Sequence, residues 1–237
     1  MYAIRERVRY SEADHTEHLT LTGVVNYFQD CSTFQSEDIG LGIDFLKSHQ
    51  RGWVLSSWQI VVNRYPKIGE AIEVGTWPTS FQGLYGTRNF VMKDEEGEML
   101  AYANSVWVFM DVKRARPTKP AEEEIQAYRL EPELEMDYAS RKITLPENWE
   151  NLPEFPVRKC QIDTNGHVNN SRYIEMAMEV LPREQYLGQI RVEYKKSAVY
   201  GDIICPMIHR EEGKTIVKLC GREGQLFAAV EFTGETI

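Results

Sequence analysis

Asp163-Thr164-Asn165-Gly166-His167-Val168-Asn169-Asn170-Ser171-Arg172-Tyr173 is the stretch on which the fold turns. It opens with hydrogen-bonding loop residues and runs straight into an amphipathic segment, where Ile174, Ala177, Met178 and Leu181 recur at helical spacing and Arg172, Glu175 and Glu179 take the opposite face. Asn169 or Asn170 suits the N-cap of that helix. Asp14-His15-Thr16-Glu17-His18-Leu19 repeats the Asp-to-His spacing near the start of the chain, ahead of Leu21, Val24, Val25 and Phe28 at the same intervals. The chain therefore contains two copies of one unit.

The likeness continues beyond the helices. Gln59–Glu70 and Arg191–Asp202 both read as an alternating strand that turns at a Gly-acidic pair, after which Ile72-Glu73-Val74 and Ile203-Ile204-Cys205 restart a strand. Glu96-Gly97 and Glu223-Gly224 mark hairpin turns in corresponding places. Each copy is a helix followed by antiparallel strands, an α+β arrangement, and the two copies are expected to pack as a pseudo-dimer. Between them, six of the ten prolines fall from Lys113 to Lys159 beside the acidic run Glu122-Glu123-Glu124. Proline does not sit in central strands, so this stretch reads as a connector with one short helix near residues 121–128. The expected division is a first domain over 1–115, a linker over 116–156 and a second domain over 157–237.

With 237 residues, 42% hydrophobic, and twelve Tyr, nine Phe and five Trp, the chain has material for packed cores and is not a disordered sequence. A net charge of −9 argues against nucleic acid or an anionic membrane as partner, since both need a basic face. No window approaches a membrane span, and Met1-Tyr2-Ala3-Ile4-Arg5-Glu6-Arg7 turns charged before a signal-peptide run forms, so a cytoplasmic location is expected. Cys31, Cys160, Cys205 and Cys220 lie far apart and are expected as small buried hydrophobes.

Chemistry concentrates at His167. A histidine in a polar loop just before a helix N-terminus is placed for acid–base work, and Asp163 or Asn165 would hold its imidazole in one tautomer. Gly166 would allow close approach of a ligand, although Asp, Asn and Gly are also ordinary turn formers. In the first copy Glu17 replaces that glycine and Thr16 replaces Asn165, so only the second copy is equipped for catalysis. Glu193 alternates out of phase with Ile190, Val192 and Tyr194 and reads as a solvated or inter-repeat residue. His49 and His209 have no ligating company, which leaves no metal site. GxSxG, P-loop and GxGxxG motifs are absent from the sequence. Tyr27, Phe28, Phe34, Trp53 and Trp58 form an aromatic set suited to an apolar ligand tunnel or to plain core.

The second-copy loop resembles the D-x-N-x-H-V-N-N-x-x-Y signature of the acyl-acyl-carrier-protein thioesterases of plants and bacteria. Arg51–Leu55, Arg64–Trp77 and Gly97–Val108 are similar to that family's first-half strands. The resemblance spans nearly the whole chain and implies a double hotdog. It implies hydrolysis of a fatty acyl thioester carried by acyl carrier protein, with the acyl tail in the first domain and Asp163, Asn165 and His167 as the catalytic group in the second. Acyl-CoA is the alternative substrate, and a non-catalytic acyl-thioester sensor the alternative of another class.

Where the family often has an acidic residue and a cysteine after Glu193-Tyr194, this chain has Ser197 and Ala198. With no thiol there, either His167 activates water or Asp163 attacks directly. No cofactor is expected, because a thioester is already activated. An acidic carrier protein would have to dock on a local basic cluster, either Arg191, Lys195 and Lys196 or Lys113, Arg114 and Arg116. A homodimer is left open as an assembly state.

Overall fold

The structure, a computed structural model, describes residues 1–181 and 188–234. It separates into two compact units, the first formed by Met1–Ser56 and Val62–Tyr138, the second by Ser57–Val61 and the chain from Ala139 onward. The division at Tyr138 and Ala139 falls inside the stretch expected as a linker. That stretch is not all solvated surface, since Glu124, Tyr128 and Ile143 are buried.

The first unit begins with β1 (Tyr2–Arg7), α1 (Leu21–Asp38) and α2 (Ile43–His49). Strand β2 (Arg51–Val62) follows, its Ser57–Val61 stretch belonging to the second unit, then β3 (Ala71–Gln82), β4 (Tyr85–Lys93) and β5 (Met99–Asp111), with β6 (Arg116–Pro117) and α3 (Glu122–Gln126) closing the first. The sheet runs β1-β3-β4-β5, antiparallel throughout, with Tyr2 opposite Thr76 and Arg7 opposite Ala71. The Thr20 hydroxyl accepts the Gly23 N–H at 3.0 Å and starts α1, whose apolar residues follow helical spacing. Leu21, Val24, Val25, Phe28 and Cys31 are buried as α1 packs on β3 and β1. Full burial of one such large side chain contributes about 1.5–3 kcal/mol.

The second unit contains β7 (Glu150–Asn151), β8 (Phe155–Pro156), α4 (Asn170–Met178), β9 (Gln189–Tyr194), β10 (Ile203–Glu211), β11 (Lys214–Gly221) and β12 (Leu226–Thr233). Its order is β9-β12-β11-β10, with β7 and β8 on β10 and Ser57–Val61 alongside β9. Asn169 is the N-cap, its side-chain oxygen accepting the Ser171 N–H at 3.0 Å. Tyr173, Ile174, Met176 and Ala177 turn inward, and α4 packs on β11 and β12. The helix stops at Met178, so Leu181 lies past its end although it fits the helical spacing. Each unit is thus a helix laid on an antiparallel sheet, and the chain is an α+β double hotdog.

The repeat holds at the level of single hydrogen bonds. Asp14 N–H donates to His18 O at 2.9 Å, and Asp163 N–H to His167 O at 2.7 Å. Thr20 N–H reaches Glu12 O and Asn169 N–H reaches Gln161 O, both at 2.9 Å. Leu19 N–H meets Pro66 O at 2.8 Å, as Val168 N–H meets Ala198 O at 2.9 Å. Glu17 stands where the second loop has Gly166, and it holds φ 65°, beside 79° for Gly166. The turn itself is common to both copies, and Glu17 adopts it at a cost of about 1–2 kcal/mol.

Candidate active site

The loop between Gln161 and Asn169 is organised by one carboxylate. Asp163 Oδ1 accepts the Asn165 N–H at 2.8 Å and the His167 N–H at 3.2 Å. It therefore fixes the backbone that carries the imidazole, whereas the sequence pattern suggested that it or Asn165 holds the ring. The Asn165 and His167 side chains are exposed, and among the described residues neither makes a side-chain hydrogen bond. An imidazole left open in this way keeps both nitrogens for a ligand or water. In the first copy the corresponding ring is occupied: His18 Nδ1 lies 2.7 Å from Thr16 O and 3.1 Å from the Thr16 hydroxyl, which itself donates to Asp14. The contrast between the copies lies in side chains, not in the turn.

Two buried residues hold the loop from below. Ala198, fully buried, accepts from Val168 N–H and donates its own N–H to the Tyr173 hydroxyl at 2.8 Å. Burial pushes the Tyr173 phenol up to about 12, so it stays protonated. The Tyr194 ring meets that of Tyr173 edge-on at 5.8 Å, and its hydroxyl donates to Asn170 O at 3.0 Å. Sequence reading passed over Tyr173 and Tyr194 in this role. Only the final Tyr of the loop signature hinted at the first.

Other expectations fare unevenly. Of the two readings of Glu193, solvated or inter-repeat, the solvated one fails: the residue is 6% exposed, accepts the Ile143 N–H at 3.2 Å and pairs with Lys195. Cys31 and Cys220 are buried, but Cys160 is exposed and Cys205 only partly covered, so the four do not all serve as core. His49 rests on Phe45, its Nδ1 2.8 Å from Phe45 O, and His209 Nδ1 lies 2.9 Å from Asn148 O. Of the aromatic set, Tyr27, Phe28 and Trp58 are core and Phe34 is exposed, while Trp53 lines a cavity of about 150 Å³ in the first unit. Phe81, Trp107, Tyr128 and Arg88 share that lining.

Comparison with known proteins fits this arrangement. The model for the acyl-ACP thioesterase N-terminal domain matches residues 1–128, and that for the acyl-ACP thioesterase C-terminal domain matches residues 146–232. The chain belongs to the acyl-ACP thioesterase family. It is 26% identical to a chloroplastic oleoyl-acyl carrier protein thioesterase of Coriandrum sativum, over 97% of this chain and 69% of that protein. It is 33% identical to a chloroplastic acyl-[acyl-carrier-protein] hydrolase of Cuphea viscosissima over 73% of this chain, which spans 46% of that relative's length.

Among solved structures, an acyl-ACP thioesterase from Bacteroides thetaiotaomicron superposes with a TM-score of 0.89 at 23% identity, covering 98% of this chain and 97% of its own. A 12:0-ACP thioesterase from Umbellularia californica gives 0.85 at 18% identity, covering 100% and 98%. At such identities these two likenesses speak to the fold.

Within this acyl-ACP thioesterase fold, Ser197 is exposed and Ala198 is buried under the loop, so the one side-chain oxygen at that pair of positions is the Ser197 hydroxyl. The basic clusters divide as well. Arg191 pairs with Glu231 and donates to Ser140 O and Lys142 O, which makes it part of the second unit's framework. Lys195 is engaged by Glu193 and Arg114 by Asp111. Lys196, Lys113 and Arg116 are exposed and form no ion pair among the described residues. No helix among the described residues is long and apolar enough to cross a membrane.

Proposed function

We propose that the chain hydrolyses fatty acyl thioesters of acyl carrier protein, releasing the free fatty acid and so ending its elongation in fatty acid synthesis. Family membership supplies the reaction class, thioester hydrolysis, and the carrier. The observation that carries the proposal is the Asp163–His167 loop: one carboxylate fixes the backbone, and an exposed imidazole with unengaged nitrogens stands on it.

His167 acts as general base. It takes a proton from water as the water oxygen attacks the thioester carbonyl carbon; the tetrahedral intermediate then expels the thiolate, which receives the proton back from the imidazolium. Asn165, exposed two residues away, offers an amide N–H to the developing oxyanion. Direct attack by Asp163 is less favoured, because its Oδ1 is already committed to two backbone amides. The first unit holds the acyl tail in the cavity beside Trp53. The carrier, acidic like this chain of net charge −9, docks through exposed cations such as Lys196. A cytoplasmic location and a homodimer belong to the same proposal.

The test is free-thiol release from matched acyl-carrier-protein and acyl-CoA substrates, with His167→Ala beside the wild type. Release by the wild type and a loss of about 10²–10⁴-fold in the variant are expected. Absence of release from both carriers, or full activity in the variant, refutes the assignment, and preference for CoA refutes the choice of carrier.

A further inference from the structure

The cavity of the first unit holds a charge that a plain aliphatic tail leaves unused. Arg88 on β4 lines it and is only 8% exposed, and burial draws its guanidinium down to about 10. Its Nη1 donates to two neutral oxygens, Gln35 Oε1 on α1 and Thr76 Oγ1 on β3, the latter at 3.1 Å. The Tyr128 ring lies 5.6 Å from the guanidinium carbon. Among the described residues no carboxylate pairs with it. A buried cation facing only neutral groups is unfavourable, and the five N–H donors of an arginine form a fork that matches an oxygen anion. Hydroxyls cluster beside it: the Ser36 and Tyr128 oxygens, both at the cavity wall, are 3.0 Å apart. The opposite character comes from Trp53, Phe81 and Trp107.

We propose that this cavity selects acyl groups whose far end carries oxygen, a terminal carboxylate matching best, with Arg88 reading the oxygen and the aromatic walls holding the last methylenes. The inference rests on the reading of the first unit as the acyl-tail site. A volume of about 150 Å³ is that of a cavity able to take up a benzene-sized guest, which suits a tail end of a few carbons. A charge-assisted hydrogen bond to the buried guanidinium corresponds to a preference of about tenfold or more.

Thiol release would be measured from acyl carrier protein loaded with octanoyl, 8-hydroxyoctanoyl or suberoyl groups, for wild type, Arg88→Met and Arg88→Lys. The expected kcat/KM order for the wild type is suberoyl, then hydroxyoctanoyl, then octanoyl, with about tenfold between the extremes. Arg88→Met is expected to reverse the order, and Arg88→Lys to keep the suberoyl preference in reduced form. Equal or better use of octanoyl by the wild type overturns the proposal and leaves the hydrolase reading standing. Release from none of the three overturns the hydrolase reading instead. The cavity is then judged by titrating tryptophan emission, to which Trp53 and Trp107 contribute, with monomethyl suberate against methyl octanoate. Tighter binding of the suberate supports the proposal, and equal or weaker binding overturns it. Should Arg88→Met fail to fold, the wild-type order and Arg88→Lys decide.

Discussion

Replacing Tyr173 by Phe removes a single oxygen from beneath the candidate active site. That oxygen accepts the Ala198 N–H at 2.8 Å, and both residues are buried, at 3% and 0% exposure. Without it the amide has no partner in a place water does not reach. A buried donor left unsatisfied costs about 1–3 kcal/mol, and relief of the hydroxyl's own desolvation brings the net to about 1–2 kcal/mol.

The loss is local, so amide hydrogen exchange is the assay. Ala198 and Val168 should exchange about 5–30-fold faster in the variant, while β3 and β4 amides in the first unit keep their rates. Because Val168 donates to Ala198 O at 2.9 Å and adjoins His167, thioester hydrolysis should fall several-fold without loss of the fold. Exchange at Ala198 within twofold of the wild type would show that the tyrosine does not anchor the loop.

Three further outcomes follow from the same geometry. Asp163→Asn keeps an oxygen for the Asn165 and His167 amides but removes the charge, so loop exchange should stay near wild type while kcat falls; a collapse of loop protection would refute the positioning account. The Glu70 carboxyl is held below its ordinary 4.5 chiefly by hydrogen bonds from Arg64. The folded chain therefore binds this proton less readily than the unfolded one: the contribution is full above about pH 4.5 and is lost as pH falls through the folded value. Urea midpoints between pH 3 and 6 should drop more steeply for wild type than for Glu70→Gln, and parallel curves would contradict this. Arg191→Ala should lower stability by about 3 kcal/mol or more, by stranding Glu231, with little effect on KM, whereas Lys196→Glu should raise KM for the carrier-linked substrate and leave stability alone. The reverse pattern, read from urea midpoints and initial rates, would remove the docking assignment.

Much of the architecture is legible because it is set by neighbours in the chain. The Asp-to-His spacing, the cap at Asn169, and the helical intervals from Leu21 to Phe28 concern residues within a few positions of one another. Their hydrogen bonds are closed locally, so residue type alone indicates them, and the short helix at Glu122–Gln126 follows the same rule. Glu17 shares the turn of Gly166 because propensity for a left-handed turn is a preference that surrounding hydrogen bonds can override.

What the sequence by itself determined is the repeat, the α+β class and the loop that carries Asp163, Asn165 and His167. Tertiary structure alone decided which charges are buried and what they meet. Glu193 finds Ile143, Arg191 finds Glu231, Tyr173 finds Ala198 and Arg88 finds Gln35 across separations of 50, 40, 25 and 53 residues. At such distances alternation along a strand tells which side chains share a face, but not whether that face is covered. Burial is a property of what packs on top, and it is burial that turns an ordinary arginine into a cation in need of an anion and an ordinary tyrosine into the support of a loop.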